Sequence, residues 1–394
     1  MTKFRACSLI FFLTMSVFIS PFVTKDHAAS LAAPLKIGIL VPTTGFHALQ
    51  GTSVIKGFEL YLQKNGNKLG GRDVKLTKAD TEGKPDVALT KLKKLIEKDK
   101  MDIVVGPVSS SVALAVKAYI NKKKTPLVVP IAITSALTKP PNRSPYIFRV
   151  QVAAEQANNP FGGWVIKNTA YRKMAIIASD FFAGHDAANA FKAGFEGAGG
   201  KIVKVINPKL GESDFAPYMA QLQRTGADAV YAWMAGGDAI RFDKQYVQFG
   251  LKAKLPLVGF AGLTEDYILP SVKDAAVGII TVTPYTPGIA LQANKAFVAA
   301  YKKAYKNALP SLPDANGFVS ATVIDAALKS TQGKAKGDAF LKAMGSVKID
   351  STPRGPISFD GNGQVICDVF IARVDKVGGE VKNVVIDVIG NTRQ

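Results

Sequence analysis

The sequence predicts an α/β protein of two lobes, each built around its own largely parallel sheet. Two observations carry this prediction. Short apolar runs rich in β-branched residues alternate with helical patterns, and the alternation starts again after Arg149. No Pro/Ser-rich linker separates the two series. We therefore expect segments that cross directly between the lobes rather than a flexible tether.

The first series predicts four strands and three helices. Val54, Phe58, Tyr61 and Leu62 repeat at helical spacing, and a second amphipathic helix starts near Pro85. The third helix is expected at 112–120. The strands are expected at 35–41, 74–77, 103–105 and 127–129.

The second series predicts a separate sheet. Its strands are expected at 174–179, 202–206, 229–233, 257–259 and 279–282. Its helices are expected at 153–167, 185–196, 215–223 and 240–249. The final third of the chain adds two helices and three strands, at 294–305, 314–329, 357–359, 369–374 and 384–389.

The first thirty residues have the layout of a secretory signal peptide. Lys3 and Arg5 precede an apolar run at 6–20, and small residues follow at 28–30. The alternative is a membrane anchor, but a spanning helix needs about 20 apolar residues. The apolar run is shorter than that. We predict that residues 1–30 are a signal peptide and that the protein is exported.

Charge and cysteine content limit the possible partners and the sources of stability. The formal net charge is +20, which favours encounter with anionic solutes or surfaces. Nucleic-acid binding is the competing interpretation, but the lysines lie on helical faces such as 91–98 without interleaved aromatic residues. We therefore expect no nucleic-acid partner. Cys367 is the only cysteine after the predicted signal peptide, so no intrachain disulfide is expected.

Motifs of catalysis are missing from the sequence. It contains no G-x-G-x-x-G fingerprint, no P-loop and no G-x-S-x-G elbow. An S-x-x-K match at 53–56 lacks its partner motifs. His47 and His185, the histidines after the predicted signal peptide, are not at metal-ligand spacing. We predict a protein that is not an enzyme, with no cofactor and no metal.

A binding geometry is predicted where a strand ends and a helix begins. Ser109 and Ser110 follow the strand at 103–105 and precede a helix, so hydroxyls and free N–H groups can hold a carboxylate there. The alternative is simple N-capping. In open α/β sheets, ligands bind beyond the carboxyl ends of strands. Further candidates after other strands are Gln50, Ile131, Ala132, Ile133, Thr134, Phe181, Phe182, Trp233 and Met234.

Aromatic residues at two of these strand ends are expected to form an apolar wall. Phe181, Phe182 and Trp233 lie beyond strands, where a cleft exposes side chains that a strand interior would bury. The alternative is that they seal the core.

Several short stretches, in order and spacing, resemble one known family over nearly the whole chain after residue 30. They are KIGIL at 36–40, VVGP at 104–107 before the serine run, DFAP at 214–217 and GPISFD at 355–360. The chain resembles the periplasmic solute-binding proteins of ABC importers, in the branched-chain amino-acid-binding (Leu/Ile/Val) group. It is more similar to the subgroup linked to aromatic acids, with which it shares 179–181, 214–217 and 354–360.

The resemblance implies a type I periplasmic-binding fold, with two Rossmann-like lobes joined by three crossing segments and a ligand cleft that closes. The crossings are expected near Val150, 283–286 and 353–355. The N-terminal lobe would comprise 31–150 and 285–354, and the C-terminal lobe 151–284 and 355–394. The resemblance also implies location in the periplasm and an ABC permease as partner.

Matching the family's binding residues to this sequence changes the expected ligand. The carboxylate-holding serine matches Ser110, but the threonine that helps to grip an α-amino acid matches Ile133. The acidic residue that pairs with the ligand ammonium matches Ala261, and two pocket aromatics match Gln50 and Ala183. An ammonium buried without a carboxylate costs several kcal/mol.

The ligand expected from these differences is a small organic anion. We predict an aromatic carboxylate of the benzoate or hydroxycinnamate type, bound for import. The alternatives are a branched-chain or other amino acid, or a ligand-sensing receptor subunit of the same fold.

Overall fold

The described chain is organised by two sheets. The computed structural model describes residues 1–2, 33–141 and 143–394, so nearly all of the predicted signal peptide lies outside the described residues. Residues Pro34–Gln394 form one compact unit, and the fold below is that of this unit. Among the described residues, no helix has both the length and the apolar character that a bilayer crossing requires.

The first sheet is almost entirely parallel. Its strands are β1 (Leu35–Val41), β2 (Lys68–Leu69), β3 (Arg72–Asp80), β4 (Ile103–Val105), β5 (Leu127–Val129) and β6 (Ile147–Arg149). Their order is β2-β3-β1-β4-β5-β6, and only β2 pairs antiparallel. Every residue of β4, β5 and β6 is buried, as expected for parallel strands covered on both faces.

The second sheet combines parallel and antiparallel strands. Its strands are β7 (Lys173–Ala178), β8 (Lys201–Ile206), β9 (Ala229–Trp233), β10 (Leu257–Phe260), β11 (Ile280–Thr283), β12 (Lys348–Ile349), β13 (Ile357–Phe359), β14 (Val365–Val377) and β15 (Glu380–Thr392). Their order is β12-β13-β14-β11-β10-β9-β7-β8, with β15 on β14. Strands β7 to β11 pair in parallel, and β14 closes this series by pairing antiparallel with β11.

Helices cover both faces of each sheet. They are α1 (Ala48–Lys64), α2 (Pro85–Lys93), α3 (Ser110–Lys123), α4 (Ala154–Asn168), α5 (Phe182–Gly197), α6 (Ala216–Gln223), α7 (Gly236–Gln248), α8 (Leu269–Val272), α9 (Gln292–Ala304), α10 (Leu312–Ser330) and α11 (Asp338–Gly345). In the first sheet, α2 and α3 pack on one face, while α1 and α10 pack on the other. In the second sheet, α4 and α5 pack opposite α6 and α7.

Helix α10 packs on the first sheet although strands β7 to β11 of the second sheet precede it in the chain. A Cβ added to Gly57 on α1 would lie 1.8 Å from the carbonyl oxygen of Asp314, and one added to Gly317 would lie 2.1 Å from that of Val54. The backbones of α1 and α10 are therefore in direct contact. Two segments far apart in the chain thus cover the same face of the first sheet.

Two buried arginines join the segments that cross between the sheets. Arg149 is the last residue of β6 in the first sheet, and its Nε donates to Gln364 Oε1 (2.5 Å). Arg354 donates through Nη1 to the carbonyl of Val150 and to Asn316 Oδ1 on α10, both at 2.6 Å. Both arginines are fully buried. Hydrogen bonds from side chains thus fix the region where the crossings were expected.

The observed elements differ from the predicted ones mainly at their ends. The strand predicted at 74–77 is the centre of β3, and the strand at 384–389 lies inside the longer β15. Strands β2, β6 and β12 were not predicted. Strand β12 pairs with β13 in the second sheet, within the segment 285–354 that was assigned to the N-terminal lobe. Otherwise the lobe boundaries stay a prediction.

Candidate ligand-binding site

A cleft lies at the carboxyl ends of parallel strands from both sheets. It is lined by Ser109 after β4, Ile131 after β5, Trp233 at the end of β9 and Phe260 at the end of β10. Its empty volume is about 510 Å³, part of which is open to solvent. Ligands of open α/β sheets bind beyond the carboxyl ends of strands, which is where this cleft lies.

The start of α3 forms one wall of the cleft. Ser109 is the N-cap residue, yet within the described chain its side chain makes no capping hydrogen bond to the helix. Its Oγ instead lies 2.8 Å from Ser111 Oγ. The backbone N–H of Thr134 donates to Ser110 Oγ (3.2 Å), which fixes that hydroxyl at the cleft. The first-turn N–H groups of α3 therefore remain available to an anion, which the helix dipole also favours.

Aromatic rings form the opposite wall. Phe181 and Trp233 pack edge to face with ring centroids 5.1 Å apart, and His47 lies 6.4 Å from Phe181. Trp233 is the last residue of β9 in the second sheet, and Ala235 follows it. His47 instead precedes α1, which packs on the first sheet. An apolar ring can pack on such a surface at the edge-to-face or offset geometry that aromatic pairs prefer.

Burial favours the neutral forms of two titratable side chains on the cleft wall. Burial lowers the pKa of His47 below its ordinary value, against an opposing hydrogen bond with Gln50 (Nδ1 to Oε1, 2.9 Å). Burial raises the pKa of the Glu265 carboxyl well above its ordinary value, and the nearby Asp266 and Asp314 raise it further. A hydrogen bond with Gln50 opposes this rise. The cleft therefore carries little negative charge.

Eight of the residues predicted for the site line the cleft. They are Gln50, Ser109, Ser110, Ile131, Ile133, Phe181, Ala183 and Trp233. They converge because each follows the carboxyl end of a strand or starts the helix beyond it.

The other five predicted residues lie outside the lining of this cleft. Ala132 and Thr134 are buried behind it, where their carbonyl oxygens accept from Arg149 Nη1 at 3.3 and 2.6 Å. Phe182 begins α5 and its side chain is 55% exposed. Met234 is buried in the core of the second lobe, where its Sδ accepts from Ser179 Oγ (3.3 Å). Ala261 borders a separate, smaller cavity.

The sequence interpretation missed half of the lining. The missed residues are His47, Val108, Gln151, Ala235, Phe260, Gly262, Glu265 and Leu312. Glu265 matters most, because it places a carboxyl in the cleft four positions after Ala261, where the acidic residue was judged lost. The signal available was the acidic pair at 265–266 in the segment that follows β10.

The geometry of the cleft gives no support to metal binding. In the part of the chain that the structure describes, no group of His, Cys, Asp and Glu side chains is arranged to hold a metal ion.

Two α/β lobes around a shared cleft, with a helix start on one wall and aromatic rings on the other, are typical of a protein that binds a small solute between its lobes. The chain belongs to the periplasmic binding protein family, whose profile matches residues 34–380. The fold is the type I periplasmic-binding fold, as the sequence predicted. The prediction that the protein is not an enzyme is also confirmed, because proteins of this family bind solutes. The family is extracytoplasmic.

Similar proteins come from several bacteria. The Leu/Ile/Val-binding protein homolog 6 of Brucella melitensis is 30% identical, over 89% of this chain and 90% of that protein. An ABC-transporter solute-binding protein of Rhodopseudomonas palustris BisB5, solved with 3,4-dihydroxybenzoic acid, is 32% identical, with a TM-score of 0.86 over 91% of this chain and 98% of that one. Another from R. palustris, solved with 4-hydroxybenzoate, is 29% identical, with the same TM-score and coverage.

These relatives establish the general role. The chain is a solute-binding protein of the kind that serves ABC transporters.

Proposed function

We propose that this protein captures a small aromatic carboxylate and delivers it to the permease of an ABC importer. The observation that carries the proposal is the start of α3, where Ser110 and first-turn N–H groups face a cleft whose other wall holds Phe181 and Trp233. A carboxylate suits the helix start, since both the N–H groups and the dipole favour negative charge there. A ring suits the aromatic wall.

Two further observations support the proposal. The R. palustris proteins were solved with benzoate derivatives that have the same two features, a carboxylate and an aromatic ring. The lining is otherwise mostly apolar, with Val108, Ile131, Ile133 and Leu312 around the ring position. Together with the predicted signal peptide at 1–30, the extracytoplasmic family favours delivery from the periplasm.

Calorimetric titration tests this function. The ligand-free protein is titrated with benzoate, 4-hydroxybenzoate, 4-hydroxycinnamate and leucine. We expect binding of at least one aromatic acid that is stronger than binding of leucine. Benzamide, which keeps the ring but has no negative charge, is the control, and we expect it to bind at least about 10-fold more weakly than benzoate because hydrogen bonds to a charged group are lost. Tight binding of leucine without binding of any aromatic acid would contradict the proposal.

A second candidate is an amino-acid ligand, and one residue favours it. Glu265 lines the cleft, and its carboxyl could ionise to pair with a ligand ammonium at an energetic cost set by its burial. The name of the Brucella relative also refers to branched-chain amino acids. The leucine arm of the titration distinguishes this candidate from the aromatic acid.

A further inference from the structure

Two buried polar atoms on the cleft wall lack hydrogen-bond partners. Trp233 Nε1 and Glu265 Oε2 are each shielded from solvent, and neither has a partner among the described residues. Trp233 is 6% exposed and Glu265 is 7% exposed. Both side chains line the cleft. Buried polar groups in native proteins are nearly always hydrogen-bonded, so an unpaired donor and an unpaired carboxyl oxygen at one cleft indicate that a ligand supplies the partners.

These atoms lie on the opposite lobe from the serines. Ser110 starts α3 of the first lobe, whereas Trp233 ends β9 and Glu265 follows β10 of the second sheet. A ligand held between the lobes therefore meets one polar group at each end. The rings of Phe181 and Trp233 pack against each other and line the same cleft.

The chemistry of the two atoms selects the group that they can hold. An indole N–H only donates, so its partner must accept. A carboxyl that stays protonated donates through its O–H and accepts through its other oxygen. A hydroxyl group both accepts and donates, so it has the chemistry that each of these two atoms requires.

Burial at this end of the cleft disfavours the alternatives. Asp266 and Asp314 lie close enough to Glu265 to raise its pKa, and burial raises the pKa of Asp266 to about 7. A second ligand carboxylate would lose its hydration beside these carboxyl groups, and among the described residues no Lys or Arg lines the cleft to compensate. A methyl group would leave both polar atoms unpaired.

We propose that Trp233 Nε1 and Glu265 form a second polar subsite, which binds a hydroxyl group at the end of the ligand remote from its carboxylate. The preferred ligand class is then a hydroxylated aromatic monocarboxylate. This inference rests on the proposed function, because it assumes that an aromatic carboxylate is held at Ser110.

The test compares ligands that differ only at the remote end. Calorimetry measures the affinity of the wild-type protein for 3- and 4-hydroxybenzoate, 4-methylbenzoate and terephthalate. We expect the better hydroxybenzoate to bind about 10- to 100-fold more tightly than 4-methylbenzoate, since the methyl analogue leaves buried polar groups unpaired. Terephthalate, with its second carboxylate, should bind more weakly than either.

Substitutions test whether Trp233 and Glu265 cause the preference for a hydroxyl group on the ligand. Trp233→Phe removes the N–H but keeps a ring, and Glu265→Met removes both oxygens at similar length. In each, the ratio of hydroxybenzoate to methylbenzoate affinity should fall to within about threefold of one. Glu265→Gln keeps a donor and an acceptor and should restore most of the ratio. Trp164→Phe is the matched control, because Trp164 Nε1 donates to Asp387 at the surface (2.7 Å), and it should keep the wild-type ratio.

Each result decides between the inference and the proposed function. If both benzoates bind the wild type equally, the subsite is wrong and the aromatic-acid function stands. If the ratio survives in both Trp233→Phe and Glu265→Met, other residues hold the hydroxyl and the inference is overturned. If no aromatic acid binds, the proposed function and the inference fail together. If Glu265→Met does not fold by circular dichroism, Trp233→Phe and the wild-type ratio still decide.

Discussion

The hydroxyl of Ser110 is positioned for ligand before any ligand arrives. It accepts a hydrogen bond from the N–H of Thr134 (3.2 Å), so its own O–H is free to donate into the cleft. Ser110→Ala should weaken binding of an aromatic carboxylate by about 10-fold or more, because a hydrogen bond to a charged group is lost. Calorimetry measures this change. Ser111→Ala, in the same turn but outside the cleft lining, is the matched control, and an equal loss there would contradict a specific role of Ser110.

Asp243 is a second residue whose chemistry is set by burial. It lies on α7 and is 1% exposed, and neither carboxyl oxygen has a hydrogen-bond partner among the described residues. Burial raises its pKa well above the ordinary value, with Lys252 opposing. The stability that the protonated form provides is therefore complete below the unfolded-state pKa and is lost as pH rises through the folded-state pKa.

Asp243→Asn should remove this pH dependence. At pH 8 we expect the free energy of unfolding to increase by about 1–3 kcal/mol, because no charge has to be buried. The gain should shrink towards pH 4, where the folded-state carboxyl is protonated and the unfolded-state carboxyl is about half protonated. Urea denaturation at the two pH values measures this difference. The exposed Asp350→Asn is the control, and a gain that does not depend on pH would be inconsistent with burial of a charge.

The predicted residues agree with the cleft lining where a strand end largely determines position. Trp233 is the last residue of β9, and Ser109 and Ser110 follow β4 by four and five residues at the start of α3, so the periodic pattern places them at the cleft edge. The sequence prediction missed Glu265, because the irregular segment after β10 brings this side chain to the cleft and has no periodic pattern. Phe182 shows the reverse error, since one step into α5 turns its side chain towards solvent.

At the scale of elements, the contact between α1 and α10 depends on glycine. A Cβ at Gly57 would lie 1.8 Å from the carbonyl oxygen of Asp314, so the two helices must separate to accept it. Gly57→Ala should destabilise the protein by about 1–3 kcal/mol or more, as overpacked cores do. Thermal or urea unfolding measures this loss.

The matched control for this prediction is Gly163→Ala on α4. Nothing lies within 4 Å of a Cβ added there, among the residues that the structure describes. Because alanine has the higher helix propensity, this variant should be stabilised by about 0.5–1 kcal/mol. Equal effects of the two substitutions would show that backbone contact does not govern the α1 and α10 pair.

Elements were predictable in proportion to their length and apolar content. Strand β1 has seven residues, six of them buried, and its predicted bounds match those observed. Strands β2 and β12 have two residues each, which is too short for any period to appear. Strand β15 extends beyond its apolar centre because it pairs along β14 as a hairpin, so ladder hydrogen bonds rather than burial hold its polar ends.

At the scale of the whole molecule, the junction between the lobes relies on partners far apart in sequence. Arg149 and Gln364 are 215 positions apart, yet the Arg149 side chain donates a short hydrogen bond to Gln364 and the two residues form an isolated β-bridge. The acceptors of Arg149 are neutral oxygens, and burial lowers its pKa to about 9. No local pattern indicates such a contact, which is why the crossings were expected from the family resemblance and not from periodicity.

The charge of the whole molecule should act on the rate of ligand capture. The formal net charge of +20 attracts an anionic ligand over distances that salt can screen, whereas contacts inside the cleft are shielded from salt. We therefore expect the association rate of an aromatic carboxylate to fall about 5- to 10-fold when NaCl rises from about 20 mM to about 500 mM. The dissociation rate, measured in the same stopped-flow experiment, is the control and should change less than about twofold. Trp233 lines the cleft, so its fluorescence in a Trp164→Phe background reports binding, and an association rate that is independent of salt would contradict electrostatic steering.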